Sequence, residues 1–266
     1  LVTESQIEIN VYNSLLSRFK LGEFDPDEKV EYRSDAYSFA NAVESEEHRA
    51  LADEAANKSV VLLKNDGILP LDASKLTKVV VVGDQVEVCD LGNYSGKPQK
   101  KNLISMYDGI SDYLFTHNKN VKLDKVTSFG ENGAIKAEDQ ELIKAADAVI
   151  VLGSDTHADS SEGHDREELV LTRNQNAIIS NVGKLNANTV LYLQTSNMVE
   201  LKEFKNDVKA ILWSTQNGQS QGVGMANQIF GEVNPSGKLT FTWFADEDQI
   251  PGIRQYGMNK AYGKDE

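Results

Sequence analysis

The sequence predicts an α/β fold, a three-layer α/β/α sandwich built on a mainly parallel sheet. Short continuous apolar runs without polar alternation recur along the chain: Val60 to Leu63, Val79 to Val82, Ala148 to Leu152, Val190 to Leu193 and Ala210 to Trp213. Strands covered on both faces require that pattern, and parallel sheets are covered on both faces. Helical stretches separate the runs, near Ile104 to Leu114, Glu138 to Ala146, Arg173 to Leu185 and Val223 to Phe230. A last run, Leu239 to Phe244, follows the turn Asn234-Pro235-Ser236-Gly237 so closely that it reads as a possible antiparallel edge strand.

Upstream of this alternation the chain reads differently. Thr3 and Gln6 have capping-box spacing, and Ile7, Val11, Leu15 and Phe19 recur every four residues, so a helix ending near Gly22 is expected. Its apolar face needs a partner. From Glu23 to Glu44 the pattern lapses into Asp25-Pro26-Asp27 and scattered polar residues, which reads as a linker. Ser45 is the expected N-cap of a second helix, with Glu46 and Glu47 at the positive end of its dipole. The expected domains are residues 1–44, a helix left from a preceding domain plus a linker, and 45–266, the α/β sandwich. Thr172 and Gln175 offer a capping box for the helix that follows them.

Composition narrows the class of function. The chain has 266 residues, 40% of them hydrophobic, enough for a folded domain with a substantial core. A formal charge of -14 opposes binding to nucleic acid or to an anionic membrane surface, and suits a neutral or cationic ligand. One cysteine, Cys89, excludes an internal disulfide and a multi-cysteine metal site. No apolar run is long enough to span a bilayer. The sequence begins at Leu1, just before a helix, and so reads as a piece of a longer protein in which a signal peptide would lie upstream.

Chemistry is expected in the loop after Ala148 to Leu152. Ligands of open α/β sheets bind outside the carboxyl ends of the strands, and here stands Ser160-Ser161-Glu162-Gly163-His164-Asp165-Arg166. Glu162 and Asp165 are proton-transfer candidates there, or merely hydrated loop charges. Asp155, His157, Asp159, Glu162, His164 and Asp165 are dense in ligand atoms but lack His-Glu-x-x-His or EF-hand spacing, so no metal is expected. Gly83 ends a strand without a dinucleotide fingerprint, which disfavours a dehydrogenase; no cofactor is expected. Gly218, Gly222 and Gly224 lack the Lys-Ser/Thr of a P-loop and read as close packing of backbone against the sheet. Tyr94, in Gly92-Asn93-Tyr94-Ser95-Gly96, either stacks on a sugar ring or covers the edge of the core.

Several segments together resemble glycoside hydrolase family 3, the β-glucosidase and β-xylosidase family. They are Arg18 to Pro26, Glu47 to Ala52, Ser59 to Leu71, Gly92 to Gly96, Glu162-Gly163-His164-Asp165-Arg166, Leu171 to Gln175, and Phe230 to Leu239. The resemblance runs in order over nearly the whole chain. It implies a barrel domain that supplies an aspartate nucleophile, followed by this sandwich, which supplies the acid/base from a loop. It further implies hydrolysis of terminal β-linked sugars with retention of configuration, and export to the periplasm or outside the cell.

By the resemblance Glu162 is the catalytic acid/base, matching the glutamate of the family's Glu-Gly-x-Asp-Arg run. Tyr94, His164, Asp165 and Arg166 are then the substrate-binding candidates, with Asp165 and Arg166 read as an ion pair shaping the loop. Thr172 stands where the family usually has proline. The nucleophile would lie upstream of Leu1, so the expected partners are a β-linked oligosaccharide or glycoside and the missing barrel, and the chain alone is expected to be inactive. The Gly92 to Gly96 loop favours β-xylosidase. A carbohydrate-binding or interaction module that has kept the fold is the alternative, decided by whether the upstream sequence holds the nucleophile.

Overall fold

The computed structural model describes residues 2–252. The end of the predicted sandwich, residues 253–266, lies outside them. The chain divides into two compact units between Leu51 and Ala52.

In the first unit, α1 (Glu4–Lys20) starts at the expected capping box, Thr3 with Gln6. Ile7, Val11, Leu15 and Phe19 are all exposed on it. Arg18 closes the helix end with two hydrogen bonds to the Glu23 carboxylate, 2.6 and 2.7 Å. The segment read as a linker is a series of single 3-10 turns, 27–29, 31–33 and 35–37, ending in the short helix α2 (Phe39–Ala42). The Ser45 hydroxyl accepts from His48 N (3.2 Å), as expected of the N-cap of α3 (Glu46–Lys58). The division between the units falls within α3.

The second unit holds a six-stranded sheet in the order β1-β6-β5-β4-β2-β3. The strands are β1 (Val61–Asn65), β2 (Lys78–Val82), β3 (Lys122–Val126), β4 (Ala148–Ser154), β5 (Thr189–Gln194) and β6 (Ala210–Ser214). All neighbours are parallel except β1, which runs antiparallel to β6. The helices are α4 (Met106–His117), α5 (Ala137–Lys144), α6 (Gln175–Leu185) and α7 (Gln221–Phe230).

Alternation along each strand divides the core into two layers. Val79, Val81, Ile150, Tyr192 and Leu212 pack with Ile110 and Leu114 of α4 and Met225 and Ile229 of α7. Val80, Val82, Val151, Leu191 and Trp213 pack on the other face with Ile143 of α5 and Ile178, Ile179 and Val182 of α6. Because both faces are covered, β4, β5 and β6 are buried at every position.

The antiparallel edge strand exists, but it is β1 and not Leu239 to Phe244, which forms no strand. Phe241 and Trp243 instead fold edge-on against Trp213, with centroids 5.4 and 5.6 Å away, and the Trp243 indole N–H donates to Val199 O. Burial of two alternating aromatics against one core tryptophan replaces sheet pairing here. The opposite edge strand, β3, carries Lys122, Asp124 and Lys125, charges that discourage pairing with another chain and hide the strand from an apolar-run search.

Asp147 ties the starts of β2 and β4 together. One of its carboxylate oxygens accepts from Thr77 N, Thr77 Oγ1 and Lys78 N at 2.6 to 2.8 Å, and these bonds hold the carboxyl below its ordinary range. A depressed folded value stabilises the protein above the unfolded carboxyl value and is lost as pH falls through the folded one. Because Asp147 is exposed and solvent screens its contacts, Asp147→Ala is expected to lower stability by no more than about 1 kcal/mol at neutral pH. Thermal unfolding at about pH 7 and about pH 3 checks this, with the gap to wild type narrowing in acid.

Candidate active site

The sheet order fixes where a ligand site can form. From β2 the chain crosses over α4 to β3, then returns over α5 to β4 on the other side of β2, and continues outward through α6 to β5. The direction of winding reverses between β2 and β4, which opens a crevice at their carboxyl ends. Gly83, φ +146°, makes the turn out of β2; a Cβ there would sit 2.8 Å from Leu152 O, so only glycine lets the chain leave so close to β4.

Four loops meet at this end. The loop after β2 carries Gly92, Asn93 and Tyr94, the loop after β4 runs from Asp155 to Asn174, and Ser196 and Gln216 follow β5 and β6. A small cavity of about 60 Å³ is lined by residues of all four, among them Asn93, Asp155, His157, Ser196 and Gln216.

Asp155, 4% exposed, organises the floor. Its Oδ2 accepts from Ser196 N (2.8 Å), Ser196 Oγ (2.6 Å) and Arg166 Nη1 (3.5 Å), and its Oδ1 from Gln216 Nε2 (3.2 Å). The Arg166 Nη2 group donates to Val170 O (2.6 Å). Arg166 thus pairs with Asp155 and not with the expected Asp165, because its side chain turns inward while Asp165 stays on the surface. A buried guanidinium needs a buried carboxylate, and Asp155 is the one within reach.

Asp159 organises the loop's middle. It accepts from Thr156 N (2.8 Å), Thr156 Oγ1 (2.9 Å), Thr172 Oγ1 (2.6 Å) and the Arg173 guanidinium. Burial pushes its carboxyl upward, but the bonds from Thr172, Arg173 and Thr156 outweigh burial and hold it below the ordinary range. Arg173 also binds Asp84 (2.7 Å) and Ser154 O (2.8 Å), so it joins the loops after β2 and β4. The capping box expected at Thr172 and Gln175 does not form. Thr172 gives its hydroxyl to Asp159, Asn174 occupies the cap position in the left-handed region, and Gln175 is buried against Ser154 N and O.

On this support stands the tight turn Ser161 to His164. Ser161 and His164 exchange two backbone hydrogen bonds of 2.9 Å, and Gly163, φ +74°, takes the third position, where a type II turn needs a positive φ. Glu162 is at the second position, exposed. Its carboxylate meets the hydroxyl of Tyr94 from the neighbouring loop. Tyr94 is 82% exposed and lies in the left-handed region, φ +59°. His164 and Asp165 line an open depression of about 430 Å³ beside the turn, with Asp159, Arg166 and Thr172. The structure therefore brings Tyr94 and Glu162 together, sets His164 and Asp165 beside them, and sends Arg166 inside.

Among the described residues no three His, Cys, Asp or Glu side chains converge to hold a metal ion. The Cys89 thiol is pushed up to about 12 by burial and by Asp90, which disfavours the nucleophilic thiolate. Ser196 and Gln216 escape the sequence reading, although the rule that selects the loop after β4, polar residues just past a buried strand, selects them too.

A family model, the glycosyl hydrolase family 3 C-terminal domain, matches residues 60–265. The chain belongs to glycosyl hydrolase family 3. Its relatives include a β-xylosidase of Formosa agariphila, 31% identical over 248 residues, which cover 89% of this chain and 33% of that protein. β-D-Xylosidase 1 of Arabidopsis thaliana is 33% identical over 258 residues, covering 93% and 32%. Among solved structures, a family 3 β-glucosidase of Bifidobacterium adolescentis superposes with a TM-score of 0.73 at 28% identity, over 96% of this chain and 36% of that one. A family 3 exo-β-xylosidase bound to a xylobiose aziridine probe gives 0.74 at 28% identity, over 87% and 29%. The chain spans about a third of the length of these curated relatives.

Proposed function

We propose that this chain is the acid/base-bearing part of a retaining exo-β-glycosidase, of the β-xylosidase or β-glucosidase type, that releases terminal β-linked sugars from oligosaccharides. The observation that carries the reading is the exposed Glu162 carboxylate, held at the tip of a two-bond turn beside the winding reversal of the sheet.

Retention requires two carboxyl groups about 5–5.5 Å apart across the sugar. Glu162 is the proton donor of that pair: it protonates the leaving oxygen as the glycosyl-enzyme forms and then takes a proton from the attacking water. The nucleophile comes from a barrel domain preceding this chain, of which residues 1–44 are the last helix and the linker. The open ring of Tyr94 supports a sugar, and His164 and Asp165, which line the depression beside the turn, are further substrate contacts. Arg166 works from beneath, steadying the loop through Asp155.

Two measurements test this together. The full-length protein is expected to hydrolyse aryl β-xylosides or β-glucosides and release the β-anomer first, followed by proton NMR. The 266-residue chain alone is expected to show no turnover. Turnover by the isolated chain, or first release of the α-anomer, would overturn the proposal.

A further inference from the structure

Among the described residues the Glu162 carboxylate has one hydrogen-bond partner, and it arrives from a different crossover loop, 68 positions earlier in the chain. The loop that presents Tyr94 is braced independently of Glu162. Gly92 N donates to Asp90 Oδ1 (2.9 Å), Ser95 Oγ donates to Leu91 O (2.6 Å), and Tyr94 itself is held at φ +59°, a conformation a bulky residue adopts only where its surroundings impose it. Gly92 faces the Gln216 side chain, and a Cβ at Gly92 would lie 3.6 Å from Gln216 Cγ. Gln216 in turn binds Asp155, on which Arg166 of the Glu162 loop rests. One polar floor therefore seats both loops. At 82% exposure, the Tyr94 ring is free and only its hydroxyl tip is engaged.

Resting on the assignment of Glu162 as acid/base, we propose that Tyr94 is a positioning residue whose hydroxyl selects which oxygen of Glu162 carries the transferable proton. The Tyr94 O–H donates to Glu162 Oε2, so Oε2 acts as acceptor and the acid proton resides on Oε1. In the first step that proton passes from Oε1 to the glycosidic oxygen. The bond from the anomeric carbon to that oxygen breaks with its electron pair going to the oxygen, and a pair from the nucleophile carboxylate forms the new bond. Glu162 is left anionic, and the Tyr94 contact becomes charge-assisted and stronger. An interaction that strengthens along the reaction lowers the barrier, whereas one of constant strength does not. In the second step Oε1 recovers a proton from the water whose oxygen attacks the anomeric carbon, and the bond from that carbon to the nucleophile carboxylate breaks with its electron pair returning to the carboxylate. The phenol proton stays on Tyr94 throughout.

The test uses the full-length protein and aryl β-glycosides ranging from 2,4-dinitrophenol, which leaves without protonation, to phenol, which does not. Tyr94→Phe keeps the ring and removes the hydroxyl. It is expected to lower kcat/KM roughly tenfold on the phenyl glycoside, with KM little changed, and to leave the dinitrophenyl glycoside near wild type. Tyr94→Leu is expected to add a rise in KM. The role is overturned if Tyr94→Phe matches wild type across the series, which leaves the ring alone in use, or if it loses the same factor on every leaving group. Glu162→Gln separates this inference from the one beneath it. Full phenyl-glycoside activity in Glu162→Gln removes the acid/base assignment itself, whereas loss there with no effect of Tyr94→Phe removes only the role of Tyr94.

Discussion

Gly222→Ala is expected to destabilise the sandwich by at least about 3 kcal/mol, an effect at the upper end for a single methyl group. A Cβ at Gly222 would stand 1.9 Å from Ser105 O and 2.8 Å from Ile104 O, while a Cβ at Gly109 would stand 2.1 Å from Gly222 O. Helices α4 and α7 thus meet backbone to backbone at their amino-terminal turns. The approach is fastened by Gly222 N donating to Ile104 O and Ile104 N to Gln219 O, 2.9 Å each. The added methyl cannot be relieved by a rotamer change, because the atoms it meets are main chain. Moving α4 away would break these bonds and disturb Ser105, whose hydroxyl caps α4 through Asp108 N. Urea denaturation of the variant checks this. Gly218→Ala is the control: its φ of +70° brings a conformational penalty of about 1–2 kcal/mol, but nothing lies within 4 Å of its Cβ position. A Gly222→Ala variant no less stable than Gly218→Ala would contradict the account.

The same glycines show how sequence reading succeeds and where it stops. Of Gly218, Gly222 and Gly224, the last two do mark close backbone approach, but to the Ser105 cap of α4 and to Ala56 of α3 and not to the sheet, while Gly218 meets nothing within 4 Å. Glycine spacing does not separate a position with no room for a side chain from one that needs a positive φ, as Gly218 does, and it does not name the neighbour. The buried strands were legible because Val79 to Val82 and Ala148 to Leu152 are covered on both faces, so every position had to be apolar. Strand β3 was not, since an edge strand with Lys122, Asp124 and Lys125 has the composition of a loop. The alternating aromatics of Leu239 to Phe244 imitate an edge strand but serve to cover Trp213.

The candidate site divides in the same way. The loop after β4 could be picked from the sequence because it begins where an apolar run stops, a local signal, whereas the choice of Glu162 over Asp165 within it rests on the family resemblance alone. The meeting of Tyr94 with Glu162 could not, since it depends on β2 and β4 lying side by side although β3 comes between them in the chain. The partner of Arg166 was missed for a related reason. Asp165 is its neighbour in sequence, yet Asp155 is the acid that shares its burial. Adjacent charges in a loop need not pair when one of them is drawn inside.

In the full-length protein, Glu162→Gln is expected to lower kcat/KM by about 10²- to 10⁴-fold on glycosides with poor leaving groups, the range supplied by general acid catalysis. On a 2,4-dinitrophenyl glycoside kcat/KM is expected to stay near wild type, because that leaving group departs as the anion. The two halves of the reaction then separate. With no base to activate water, the glycosyl-enzyme accumulates, kcat falls even on the activated substrate, and azide, a nucleophile that needs no deprotonation, restores turnover as the β-glycosyl azide. The variant should fold normally: Glu162 is exposed, and the Ser161–His164 turn is made by main chain and Gly163. Asp165→Asn is the internal control, since Asp165 is exposed on the same loop. If Asp165→Asn shows the leaving-group dependence and azide rescue while Glu162→Gln does not, the proton donor is Asp165. Loss of equal size on every substrate in Glu162→Gln would instead mean that the side chain holds the loop in shape and transfers no proton.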